Sequence, residues 1–141
     1  MILRLAAALL LLAVLAFGAW VRLAPLPADL YHRMDSAHGV GDWPASGGFE
    51  AVRQVTEPKA TLAALVGVVE ATPRTALIEG SVEEGLVTVV TRSALWGLPD
   101  ISNLWIEGDR VHVRGHLVFG PFDFGCNRAR IEGWLARAGV H

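Results

Sequence analysis

From Leu5 through Val21 the chain carries no charged residue, and this run constrains the fold more than any other feature of the sequence. As a helix rising about 1.5 Å per residue it is roughly 25 Å long, close to the least that crosses the hydrocarbon layer, so it spans with little tilt. Arg4 and the terminal amine precede it. Trp20 and Arg22 follow at positions where an amphipathic ring and a snorkelling cation favour the interface. A cleaved signal peptide is the competing reading, because Val14-Leu15-Ala16 places small residues at a cleavage spacing. The run continues through Phe17 to Trp20, however, which is long for a cleaved segment, and an uncleaved anchor over residues 1–22 is preferred. No cysteine follows the run directly, so lipid attachment has no acceptor there. A short positive N-terminus stays on the cytoplasmic side. The expectation is therefore a single-pass inner-membrane protein with its domain on the periplasmic side.

With the anchor set aside, a chain of 141 residues leaves one domain with one core. A formal net charge of -2 argues against a nucleic-acid partner, which calls for a basic surface. The single cysteine, Cys126, excludes an internal disulfide framework and any cysteine-rich metal site.

Residues 23–48 read as spacer and loop. Pro25 and Pro27 stiffen its start, and the stretch from Asp35 to Gly48 has neither helical nor alternating periodicity, so it is expected to lie over the domain as loop. His32, Asp35, His38 and Asp42 fall within it. No two of them share a spacing imposed by regular structure, so solvated side chains are preferred to a metal site.

Residues 49–141 read as strands between two helices. Phe49 to Val55 alternates as a strand does, and Thr56-Glu57-Pro58 offers a capping hydroxyl, an acid and a proline at a helix start. Leu62, Leu65, Val66 and Val69 then recur at helical spacing up to Thr72-Pro73. Strands are expected over Thr75 to Glu79 and Leu86 to Ser93, with a turn at Glu83-Glu84-Gly85 between them. Ile101 to Glu107 and Arg110 to Leu117 flank Gly108-Asp109, a glycine-first pair suited to a two-residue hairpin. The last helix puts Ile131, Trp134, Leu135 and Ala138 on one stripe. After the N-terminal transmembrane helix, the predicted order is β-α-β-β-β-β-α. Hairpins bracketed by helices give an α+β domain of two layers, an antiparallel sheet with both helices on one face.

If Gly108-Asp109 is the turn, Ile106 opposes Val111, Trp105 opposes His112, Leu104 opposes Val113 and Asn103 opposes Arg114. One face is aliphatic core. The other carries Asn103, Trp105, His112, Arg114 and His116, for which a solvated sheet surface is preferred to a binding face. Four residues of strand separate the two histidines by roughly 13 Å, too far for one metal shell.

Asp123 precedes the last helix, where a carboxylate accepts backbone N–H groups and meets the positive end of the helix dipole. Asp100 is expected to act similarly in a turn. Arg92, Arg114 and Arg128 are natural partners for these acids, so a structural ion-pair network is preferred. The alternative is an anion site, in which guanidinium groups near a helix N-terminus hold a carboxylate or phosphate. For Cys126, burial is preferred to reactivity. The chain has no Gly-x-Ser-x-Gly, no phosphate loop and no His-Glu-x-x-His, and no catalytic residue, cofactor or metal is assigned.

Thr91-Arg92-Ser93, Leu98-Pro99-Asp100, a hairpin ending in Val113-Arg114, Gly120, and Asp123-x-Gly125-x-Asn127-Arg128-x-Arg130 occur in that order. In this the chain resembles the family called domain of unknown function 1499, over roughly Phe49 to Leu135. The resemblance implies a small bacterial or plastid protein, often with an N-terminal membrane segment or export signal, and brings no activity with it. After the residue matching Arg114 the family has approximately Arg-Ser-x-Ser-Arg, where this chain has Arg114-Gly115-His116-Leu117-Val118. Arg92, Ser93, Asp100, Arg114, Asp123, Asn127 and Arg128 match the family pattern. With His112 and His116 they are the candidate ligand or partner residues.

Two function classes remain. The first is a membrane-anchored, non-catalytic interaction module, an accessory or assembly subunit that meets the bilayer through residues 5–21 and docks on a membrane-protein partner. The second is binding of a small anionic or lipid-like ligand by the arginine cluster, with hydrolysis a remoter version of it.

Overall fold

The computed structural model describes residues 1–141. The uncharged run forms α1 (Ile2–Leu23), of which only Gly18 and Val21 are buried. This helix is long and apolar enough to cross a membrane. A single turn, α2 (Ala28–Tyr31), follows.

Six strands, β1 (Gly41–Ala45), β2 (Gly48–Gln54), β3 (Thr75–Ser81), β4 (Leu86–Arg92), β5 (Pro99–Glu107) and β6 (Arg110–Leu117), make one antiparallel sheet in the order β1-β2-β6-β5-β4-β3. Two further helices, α3 (Pro58–Glu70) and α4 (Cys126–Ala138), cover one face of it. The α+β, two-layer expectation holds. The β5–β6 register is the predicted one, with Trp105 opposite His112 and Leu104 opposite Val113. Gly108 supplies the positive φ, 60°, that the first position of this turn requires.

The sheet has one strand more than predicted. Residues 41–45 were expected as loop because Gly41 and Pro44 interrupt any strand pattern, but β1 is an edge strand, where a proline is tolerated because one row of N–H groups needs no partner. The expected hydroxyl cap of α3 is also not made: the cap position is Glu57, without a side-chain bond, and Pro58 opens the helix directly.

The core lies between helices and sheet. Leu62 and Leu65 from α3 and Ile131 and Trp134 from α4 meet Ala51, Leu104, Val111 and Val113. Trp134 is fully buried, and its indole N–H donates to Thr72 Oγ1 at 2.8 Å, tying α4 to the end of α3. Gly115 sets the distance of α4 from the sheet, since a Cβ there would stand 2.6 Å from Asn127 Oδ1.

The opposite face of the sheet is not bare. Residues 24–40 form a strap across it, fastened where Asn103 Nδ2 donates to the Tyr31 carbonyl at 2.7 Å and where His32 Nδ1 meets Thr88 Oγ1 at 2.8 Å. Of the loop expected over Asp35 to Gly48, residues 41–45 are strand β1 instead, while Asp35 and His38 reach Arg114 and Glu50 on the sheet's outward face.

Candidate functional site

Alternation along β2 turns Phe49 and Ala51 into the core and Glu50 and Val52 outward, beneath the strap. Glu50 is therefore a carboxylate only 3% exposed, beside His112 on β6, which is fully buried. Glu50 Oε1 lies 2.9 Å from His112 Nδ1, and Oε2 lies 2.9 Å from Nδ1 of His38 in the strap. Burial alone would raise the Glu50 pKa, but hydrogen bonds from His112, Ser36 and His38, with the charge of His112, hold it below the ordinary value. An ionised carboxylate accepts only, so each histidine presents Nδ1–H to it. Each imidazole also stacks on an indole with ring centres 4.5 Å apart, His112 on Trp105 and His38 on Trp43. His112 Nε2 is 3.3 Å from Glu107 Oε2 but out of line for a hydrogen bond, and has no other partner.

This overturns the solvated-surface expectation for His112, Arg114 and His116: His112 is sealed, and the other two are half-buried. Arg114 gives Nη1 to the Asp35 carbonyl oxygen and stands 3.2 Å from the Asp35 carboxylate. Burial lowers the His116 pKa against a 3.1 Å bond to the Leu117 carbonyl, and the charges of Arg114 and Arg33 lower it further, so the ring is held neutral. A cleft of about 200 Å³ opens between Trp43, His38, Glu50, Arg114 and His116. It is smaller than the roughly 300–1,000 Å³ of ordinary ligand pockets. Its two carboxyl groups, Glu50 and Asp35, already hold partners.

The expected pairing of Arg92, Arg114 and Arg128 with Asp100 and Asp123 is not formed. Asp100, in β5 rather than in a turn, pairs with Arg130 at 2.7 Å, and both are largely buried. Arg130 also donates to Asn127 Oδ1 at 3.1 Å. Arg128 lies on the surface, 2.7 Å from Glu132 one turn along α4, with its guanidinium 5.5 Å from the centre of the Phe49 ring. Asp123 keeps its predicted task. Its two oxygens accept from the N–H groups of Gly125 at 3.1 Å and Asn127 at 2.9 Å. Its slight burial raises the pKa and these bonds, which prevail, lower it. Cys126 is exposed, not buried as expected, because the first turn of α4 leaves Cys126 on its solvent side and Asn127 on its sheet side.

Arg92 instead binds two backbone carbonyls, Val21 at 3.2 Å and Gly97 at 3.0 Å. Val21, in the last turn of α1, is fully buried. Arg22 donates back to the Leu95 carbonyl at 2.9 Å. Ser93 Oγ accepts from Leu98 N–H at 3.0 Å and closes the 93–98 loop over this joint. Gly97, at φ 73°, lets the Arg22 side chain pass: a Cβ there would stand 2.8 Å from Arg22 Cγ. Trp20 meets Phe119 with ring centres 5.5 Å apart.

Sequence reasoning missed Glu50 and Arg130. A lone carboxylate inside Phe49-Glu50-Ala51-Val52 was the available signal for the first, since an acid flanked by strand-forming apolar residues must find a partner if the strand is central. For Arg130 there was no local signal, because Asp100 is thirty residues away.

A family model described as protein of unknown function DUF1499 matches residues 35–137, which takes in Asp35 and His38 of the strap as well as the sheet and both helices. No curated protein matches the chain.

Proposed function

The chain belongs to the DUF1499 family, and from that premise we propose that it is a membrane-anchored, non-catalytic interaction module, an accessory or assembly subunit of a larger membrane complex. It spans the inner membrane once and holds its domain on the periplasmic side, as the short positive N-terminus favours. The supporting observation is the joint between anchor and domain: Val21 is buried, and Arg92 and Arg22 bond across it in both directions. A domain fixed to its span presents the same surfaces at the same height above the bilayer, which suits docking on a neighbour in the same membrane. The anion-binding alternative draws no comparable support, because Arg92, Arg114, Arg128 and Arg130 each have an acceptor within the chain.

The test is purification of the native protein in mild detergent. One membrane polypeptide is expected at a fixed ratio, lost when α1 is replaced by an unrelated apolar span. A monomer with no stoichiometric partner contradicts the proposal.

A further inference from the structure

The two ends of the sheet differ in chemistry. At one end lie the β1–β2 turn, the α3–β3 connection with the exposed Arg74, the 93–98 loop and the 118–125 loop, since β1, β4 and β6 finish there and β2, β3 and β5 begin there. Arg92 and Gly97 bring the last turn of α1 to this same end. Residues 93–98 contain no charge, and the only charge in 118–125 is Asp123, whose oxygens are taken up by backbone N–H groups. Large apolar side chains stand out from both loops: Leu95 is 75% exposed, Phe122 66% and Phe124 95%. The far end carries Glu83, Glu84, Glu107 and Asp109 in its turns.

Trp96 and Leu98 do not stop at the base of α1. They line an apolar cleft of about 400 Å³ with Ala13, Val14 and Phe17. At about 1.5 Å per residue, these helix positions lie roughly 9–15 Å before Leu23 along the axis. If α1 spans a bilayer, Trp96 sits beside a part of it that lies among lipid.

We infer that the 93–98 and 118–125 loops form a second membrane contact, an uncharged collar of Leu95, Trp96, Phe122 and Phe124 seated in the lipid interface, with an acyl chain in the cleft between Trp96 and α1. Its occupant is lipid because the collar continues the surface of a membrane-crossing helix, and aromatic side chains without charge favour the headgroup boundary. The inference rests on α1 being a retained span. It does not depend on the identity of a protein partner.

The experiment places spin labels on the full-length protein in phosphatidylcholine nanodiscs, in a Cys126→Ser background, by Leu95→Cys, Phe124→Cys, Leu10→Cys and Glu84→Cys in turn. Accessibility to oxygen, which concentrates in lipid, is compared with accessibility to a water-soluble nickel complex. Positions 95 and 124 are expected to be oxygen-accessible like position 10, while 84 is nickel-accessible. Nickel access at 95 and 124 with position 10 in lipid overturns the collar and leaves the anchor standing. Nickel access at position 10 overturns anchor and collar together. Spin–spin broadening at 95 or 124 shows a second copy on this surface and overturns lipid as its occupant.

Discussion

Arg92 Nη1 lies 3.2 Å from the carbonyl oxygen of Val21, so a guanidinium at the end of β4 holds the last turn of the apolar helix α1, 71 residues upstream. Arg92→Ala leaves the carbonyls of Val21 and Gly97 without this donor and is expected to cost about 1.5–3 kcal/mol, the usual range for bonds to a charged group. Both bonds leave the one nitrogen Nη1, so Arg92→Lys, which keeps the charge and several donors on one nitrogen but has a shorter reach, falls between. Thermal unfolding in detergent measures this, and an unchanged Tm for Arg92→Ala contradicts the clamp.

Glu50→Ala strands the Nδ1–H of the fully buried His112 and is expected to destabilise by about 1–3 kcal/mol. His38 is about half-exposed and bonds the same carboxylate, so His38→Ala is expected to cost about 1 kcal/mol or less. Urea unfolding of the two variants compares them; equal losses would contradict the assignment of the larger share to the buried His112–Glu50 bond.

Acidification is expected to destabilise the domain in two stages. The His116 pKa is lowered on folding, so the unfolded chain takes up its proton first, and stability begins to fall as pH drops through the ordinary value of 6.5. The Glu50 and Asp123 carboxyls are lowered from 4.5 and 3.8, so their contribution is present above those values and lost as pH falls through the folded ones. Tm measured from pH 8 to pH 3 records both stages, and His116→Asn is expected to remove the first alone. A Tm that rises between pH 7 and pH 5 refutes the assignment.

Around the start of α4 (Cys126–Ala138) the order of importance is Arg130, Asp123, Arg128. Arg130→Ala strands the largely buried Asp100 carboxylate and is expected to cost about 3 kcal/mol. Asp123→Ala removes a cap worth about 1 kcal/mol. The Arg128–Glu132 pair is exposed and screened by solvent, so Arg128→Ala is expected to be nearly silent. Denaturation midpoints rank the three, and a large effect of Arg128→Ala reverses the order.

The β5–β6 hairpin was legible residue by residue because two-residue alternation meets a glycine-first turn, and those two signals leave one register. The stripe of Ile131, Trp134 and Leu135 was legible for the same kind of reason. Burial of the outward sheet face was not, because it depends on the strap reaching from Tyr31 to Asn103, across 72 residues, and no local pattern encodes that contact. The arginine partners failed similarly: Arg92, Arg114 and Arg128 were expected to pair with Asp100 and Asp123, and only packing decides that Arg130 meets Asp100, Arg114 meets Asp35 and Arg92 meets backbone. The strand at 41–45 was hidden by its own Pro44, which an edge position accommodates.

Everything proposed for this protein depends on α1 staying attached to the domain it is clamped to. Intact mass measurement of the native protein from carbonate-washed membranes tests this directly. The account predicts a membrane-retained chain whose mass includes all of Ile2–Leu23; a washed-out chain that begins after Ala16 contradicts it.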